Sequence, residues 1–545
     1  MLAEATRHFL SVGDTQEAAR VIEQEVYGML RGNACVQLLR LLDQLPENIV
    51  MKHPRLCLAR ACCLLIIGQR EAAASLLHAV ELAGQRLLGY SVEEDELQSS
   101  EQPLRRTDVA FFHVILASIA SVRGDTAAAV EQAHIALHLL PQEEHLLRGC
   151  VLLSLGIAER LQGSTVSAVT TLAQASRLCF IAAFPQVAIS ALTQQASLLV
   201  MQGHLHQAVA VYRYALQVAR EHGAGAFASL GEVYVDLGRL LYEWNDLEAA
   251  LDMSRRGLAC GQQWELLEDQ IDGVALMVHV LLAQGRNEAA AATLHEADTL
   301  FQQAQSGAGI GARVTAIRAG VAWHQGQLEQ AARWMQESGL SATSYTLHSA
   351  DPRHEFTYLI LVRILLSQGR LEEAASLLEQ LLAVAQAEAR TGGVIEILSL
   401  QALVLSAQGR LAEAPGILMQ ALSLAAPEGY IRLFIEANEP MRTLLLRLRE
   451  QQTQRSTTLL HYIDTLLAAF ASPQQEIPGL LEPLSQRERE ILRLVAQGLS
   501  NQQIAQQLVI AMSTVKTHIH HLLGKLAASS RLQAVSRAKA LGLLK

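Results

Sequence analysis

Apolar positions along this chain recur at helical spacing and in units of nearly constant length. In QGRLEEAASLLEQLL (368–382), Leu371, Ala374, Ala375, Leu377, Leu378 and Leu381 make one broad stripe, of the width a helix buries against its neighbours. The unit is a turn residue followed by Ala at the fifth position after it, and it appears ten times. The pairs are Gly13 with Ala18, Gly68 with Ala73, Gly124 with Ala129, Gly163 with Ala168, Gly203 with Ala208, Asn245 with Ala250, Gly285 with Ala290, Gly326 with Ala331, Gly369 with Ala374, and Gly409 with Ala414. From Gly124 onward the spacing is 39, 40, 42, 40, 41, 43 and 40 residues. Gly and Asn tolerate the left-handed region that closes one helix and lets the next begin. Ala carries nothing beyond Cβ, so a partner helix can come close. The pattern predicts an all-α solenoid of stacked helix hairpins with a concave surface.

Two stretches break the rhythm. SVEEDELQSSEQPLRRTD (91–108) is acidic and polar, and SYTLHSADPRHEF (344–356) carries Asp351-Pro352; both are expected to be exposed connections. Further on, Pro473, Pro478 and Pro483 fall within thirteen residues, a density that prevents a continuous helix and predicts a tether. The expected division is a helical arm and start of the array at 1–105, the repeats at 106–445, a helical segment and Pro-containing linker at 446–483, and a small helical domain at 484–545.

In that last segment the helices are legible from their own chemistry. Ser485 with Glu488 and Ser500 with Gln503 read as capping boxes opening two helices. The first carries Ile491, Leu492 and Val495 inward and ends near Gly498; the second is short, with Ile504, Ala505 and Leu508 on one face. A third follows the Val509-Ile510-Ala511 turn. Its Val515, Ile519, Leu522 and Leu526 fall on one buried face, while Ser513, Lys516, Thr517 and His520 occupy another. Thr514, His518, His521 and Lys525 form a flank beside it. A short helix, a tight turn and a polar, positively charged helix make the geometry that inserts one element into a DNA major groove.

Charge strengthens that reading. The net charge of −10 is uneven: from Leu484 onward nine Lys or Arg stand against two acids, a net of +7, whereas the preceding residues hold 34 basic and 51 acidic side chains, a net of −17. A basic module on an acidic body is the electrostatic footprint of a nucleic-acid binder. Half of the residues are hydrophobic and 4% aromatic, a helix-forming mixture. Mean hydropathy is positive, yet no uncharged apolar run reaches the roughly 18 residues of a membrane span. The longest stretches, near Val109–Val122 and Val274–Ala283, contain His113 and His279 and read as buried helices. MLAEATRHFL shows no secretion signal, so a cytoplasmic location is expected. Cys35, Cys57, Cys62, Cys63, Cys150, Cys179 and Cys260 form no C-x-x-C pair and read as small core residues. His518 and His521 share a flank, but no Cys or acid completes a shell, so no metal is expected.

LSQRERE, GLSN, QIA, TVKTH, KL and SRLQAV, in that order over about 60 residues from Leu484, resemble the LuxR-type (GerE-like) helix-turn-helix domain. The 40-residue repeats, the stretch holding Leu45-Pro46 and Pro54-Arg55-Leu56, and APEGYIRLFIEANEPM (426–441) resemble the tetratricopeptide-like array of the MalT-like branch of those regulators. By this resemblance Lys516, Thr517 and His520 take base-facing positions, and Asn501, Ser513, Thr514 and Lys525 are candidates for the DNA backbone. Arg531 reaches a phosphate or caps helix packing. Ala534, Val535, Ala538 and Leu541 mark the dimerisation helix, which implies a homodimer on a two-fold operator of double-stranded DNA. Ala511 stands where the family has a Ser or Thr N-cap. Large members of the branch carry an N-terminal nucleotide-binding domain, whereas this sequence has no G-x-x-x-x-G-K-[ST] loop; the chain resembles the C-terminal part of such a regulator.

The function expected is a sequence-specific transcriptional regulator with no enzymatic activity and no cofactor. Its repeats would sense an unidentified small molecule or protein and control the tail. A protein-interaction scaffold with an accessory DNA-binding tail is the alternative.

Overall fold

The computed structural model describes residues 2–31, 34–88, 103–222, 227–297, 300, 302, 310–337, 352–451, 457–470, 486–507, 512–526, 528 and 530–541. Among the described residues every element is helical. All ten turn residues of the repeat motif have positive φ, between 73° and 83° for the glycines and 59° for Asn245. All ten motif alanines are fully buried, at 0% exposure. The turn at Gly369 shows why the pairing works. Its N–H donates to the Leu366 carbonyl at 3.1 Å and the Arg370 N–H to that of Leu365 at 3.0 Å, which satisfies the carbonyls orphaned at the helix end. Helix Leu371–Ala387 then packs Ala374, Leu377, Leu378, Leu381, Val384 and Ala385 inward.

The opposite connections carry no such signature. Ala183, Glu265 and Ala389 turn the chain at φ 54°, 55° and 53°, left-handed without glycine, so a search for Gly or Asn passes over them. The two expected exposed connections are shorter than the sequence suggested. Helices Pro103–Arg123 and Pro352–Ser367 begin inside them, because Pro at the first helical position loses no bond and has φ already set. Asp108, expected on a loop, is instead only 4% exposed. It accepts from Arg55 Nε at 2.8 Å, Arg55 Nη2 at 2.6 Å and the Tyr27 hydroxyl at 2.8 Å. The rest of both stretches lies outside the described residues.

Repeat after repeat, the array coils until its edges meet. A Cβ built on Gly68 would lie 3.2 Å from Leu266, and one built on Gly203 would lie 3.1 Å from the Thr391 Cβ. Gly326 has the same left-handed φ but open space around it. Gly203→Ala is therefore expected to cost about 1–2 kcal/mol in backbone strain plus the displacement of Thr391, while Gly326→Ala meets the strain alone. Chemical denaturation of the two variants checks this; equal losses would mean that the edges do not touch.

No helix among the described residues is long and apolar enough to cross a membrane. Cys35, Cys57, Cys62, Cys63 and Cys179 are buried and Cys150 and Cys260 partly so; burial pushes the Cys260 thiol up to about 11.

Candidate nucleic-acid interface

The tail consists of helices Gln486–Ala496, Asn501–Gln507, Met512–Lys525 and Arg531–Ala540. Two small cores hold them together. Ile491, Leu494 and Val495 meet Ile504, Val515 and Ile519, while Leu492 packs with Leu522, Leu526, Ala534 and Ala538. The stripe Val515, Ile519, Leu522 and Leu526 is thus wholly buried, none of its members above 8% exposure. That leaves the other side of Met512–Lys525 facing outward, with Lys516 and His520 exposed one turn apart.

Local chemistry sets the crossing of the two central helices. Gly498, at φ 85°, ends the first helix, and the Ser500 N–H donates to Gln503 Oε1 at 2.8 Å while the Gln503 N–H donates to Ser500 Oγ at 3.3 Å. This reciprocal box begins the short helix. A second Ser-x-x-Gln pair, Ser530 with Gln533, caps the last helix through Ser530 Oγ at 3.3 Å; the same spacing in the sequence could have revealed it. Ser485, Leu508 and the turn with Ala511 lie outside the described residues.

Three of the residues read as DNA-backbone contacts are brought into internal pairs. Lys525 Nζ reaches Glu488 Oε2 at 3.0 Å, with the two side chains 11% and 2% exposed. Arg531 donates through Nη1 to the Leu499 carbonyl at 3.2 Å and through Nη2 to Asn501 Oδ1. One guanidinium therefore ties the last helix to the start of the short one. Positions 513, 514 and 517 lie on the same helix as Lys516, with side chains outside the described residues. Ala534 and Ala538 are 0% exposed within the module's own core, Val535 and Leu541 pack beside it, and Leu532 on the same helix is 82% exposed. The side of that helix exposed to solvent is the one with Leu532. Among the described residues no cluster of three His, Cys, Asp or Glu side chains could hold a metal.

Comparison with known proteins adds to this geometry. The model of the MalT-like TPR region matches residues 110–451, and that of the luxR family of bacterial regulatory proteins matches residues 482–538. The HTH-type transcriptional regulator MalT of Serratia proteamaculans (strain 568) is 25% identical over 568 aligned residues, covering 99% of this chain and 60% of its own length. MalT of Yersinia pestis (strain Pestoides F) is 24% identical over 570, with the same coverage. The chain thus spans 60% of the length of these curated relatives. A solved Rap protein complexed with Competence and Sporulation Factor is similar at a TM-score of 0.42 and 13% identity, covering 76% of this chain and 99% of that one.

Proposed function

The chain belongs to the MalT-like regulators with a LuxR-type helix-turn-helix, and from that membership we propose that it binds a specific double-stranded DNA site and regulates transcription. The observation that carries the proposal is the two-sided third helix of the tail. Its apolar side is locked by Val515, Ile519, Leu522 and Leu526, and its open side presents Lys516 and His520. In this reading Lys516, Thr517 and His520 meet base edges. Ser513 and Thr514 bond phosphates, and Asn501, Lys525 and Arg531 stand at the backbone while their internal pairs hold the frame. Two copies meet through the helix of Ala534, Val535, Ala538 and Leu541, across its exposed Leu532 side, and read a two-fold operator in the cytoplasm. The repeats take the effector, residues 471–483 tether the two parts, and no catalytic step is assigned to this chain.

Binding of the full chain to a promoter library, followed against salt, tests the reading. Affinity should fall steeply as salt rises, since each phosphate contact releases counterions. Lys516→Ala should cost about 1–3 kcal/mol at the preferred site and relax preference at one base position. Weak binding without sequence preference at every salt concentration would sink the proposal.

A further inference from the structure

Residues 426–436, which close the array, do not simply follow the last repeat hairpin. They cross to the end of helix Leu230–Glu243, far back along the chain. The Trp244 indole N–H donates to the Glu428 carbonyl at 2.9 Å, across 184 residues. The Ile431 N–H donates to the Glu243 carbonyl at 3.0 Å, and the Leu433 N–H to Glu243 Oε1 at 3.0 Å, across 190 residues. The Tyr242 hydroxyl donates to Glu436, and the Arg432 guanidinium lies over the Tyr242 ring at 5.1 Å while its Nη1 meets Asn245 Oδ1 at 3.4 Å. At the other end Glu428 accepts from the His206 N–H at 3.0 Å and lies 3.8 Å from His204 Nδ1. Phe434, 0% exposed, anchors the segment in the main core.

We infer that residues 426–436 are a clip that fastens the two edges of the coiled array, seated when Glu243 is neutral and released when Glu243 ionises. Glu243 is the anchor of the clip because it accepts from the segment twice, once through its backbone and once through its carboxyl. The groups around that carboxyl are Glu436 and Arg432 on the clip, Glu396 on helix Thr391–Ala407, Tyr430 before the clip's short helix, and Tyr462 on helix Thr457–Phe470. Arg432 lies 3.8 Å from Glu436 and Arg363 bonds Glu396 at 2.7 Å; the Leu433 N–H and Arg432 favour a Glu243 carboxylate, but less than burial and the two neighbouring carboxylates disfavour it.

Burial therefore raises the Glu243 carboxyl from its ordinary 4.5 to about 8, with Glu436 and Glu396 adding to the rise. The sign follows from linkage. With the clip seated, the carboxyl keeps its proton up to about pH 8; with the clip open, it loses the proton near its ordinary value of 4.5. Seating is strongest below that lower value and weakens as pH rises through the window between the two. Glu436 is held below its ordinary value, chiefly by Arg432 and Arg363 against the pull of burial, and burial lowers His279 to about 4. Neither titrates in the upper part of the window. The clip leads into helices Asn438–Gln451 and Thr457–Phe470, whose Met441, Leu444, Leu445, Leu448, Ile463 and Leu466 share the main core of the array, so its release would loosen the edge of the array while these helices stay packed. This inference concerns the array and holds whether or not the tail reads DNA.

Amide hydrogen exchange of the full chain, read in peptides covering 426–436 and corrected for intrinsic rates, tests it. Between pH 6 and pH 8 protection of this segment should fall by roughly tenfold or more, while helix Pro185–Met201 stays unchanged. Glu243→Gln keeps an acceptor without a titrating group and should hold protection constant across the same range. Trp244→Phe removes one bond but keeps the ring, and should lower protection of 426–436 several-fold at both pH values. Constant protection in the native chain, or a Glu243→Gln variant whose protection falls as steeply, overturns the inference.

Discussion

Glu488→Ala is expected to cost the tail about 3–5 kcal/mol, the usual loss when one partner of a buried ion pair is removed. Glu488 is 2% exposed and its carboxylate stands 3.0 Å from Lys525 Nζ. Without it, an ammonium on the third helix is left facing the first helix with no counter-charge among the described residues. The surrounding core is small: Leu492, Leu522, Leu526, Ala534 and Ala538 make up its buried part on that side. Small domains have only a few kcal/mol in hand, so the loss should unfold much of the tail, read as lost amide protection in helices Gln486–Ala496 and Met512–Lys525 and as a lower first transition in calorimetry of the full chain. Glu488→Met combined with Lys525→Met removes both charges and should restore most of the stability, since apolar replacement of a buried pair is often neutral or better. A loss below about 1 kcal/mol for Glu488→Ala, the scale of an exposed pair, would show that water reaches this contact.

The double variant also separates architecture from recognition. The resemblance to LuxR-type domains makes Lys525 a candidate backbone contact. If its stabilising role is internal, the refolded double variant should keep sequence preference, because the base-facing Lys516 is untouched and exposed. Sequence period alone does not distinguish the two roles. A 3.6-residue period records which side of a helix is apolar, and it places Val515, Ile519, Leu522 and Leu526 correctly in the core. It says nothing about which polar side chain reaches across to another helix. Lys525 and Glu488 are 37 residues apart, Arg531 and Asn501 30 apart. Such pairs leave no periodic mark.

The same division runs through the array. The Gly or Asn turns and their alanines were legible because two physical demands, a left-handed φ and close helix approach, each select a residue type. The turns at Ala183, Glu265 and Ala389 meet the first demand with residues that do not advertise it. Charge content misled at 91–108, where an acidic, polar run suggested solvent. Its last carboxylate instead turns inward, because the Arg55 guanidinium and the Tyr27 hydroxyl await it there.

That inward carboxylate sets the second large effect. Asp108→Ala should cost about 3–5 kcal/mol: Arg55 loses both bonds of a bidentate pair, the geometry in which Arg–carboxylate contacts are strongest, and the Tyr27 hydroxyl loses its acceptor. The three residues come from helices Thr15–Arg31, Pro54–Ile66 and Pro103–Arg123, so the pair fastens the N-terminal arm to the first helix after the 89–102 stretch. Burial pushes the Tyr27 phenol well above its ordinary value, with Asp108 adding to the rise. Asp108→Asn keeps the shape and an acceptor but not the charge, and should recover part of the loss. Limited proteolysis separates local from global failure: Asp108→Ala should open helices Thr15–Arg31 and Pro54–Ile66 to cleavage while helix Leu371–Ala387, deep in another core, stays resistant. Uniform susceptibility along the chain would mean that the array unfolds as one cooperative unit, and unchanged resistance of the arm would mean that Asp108 does not hold it.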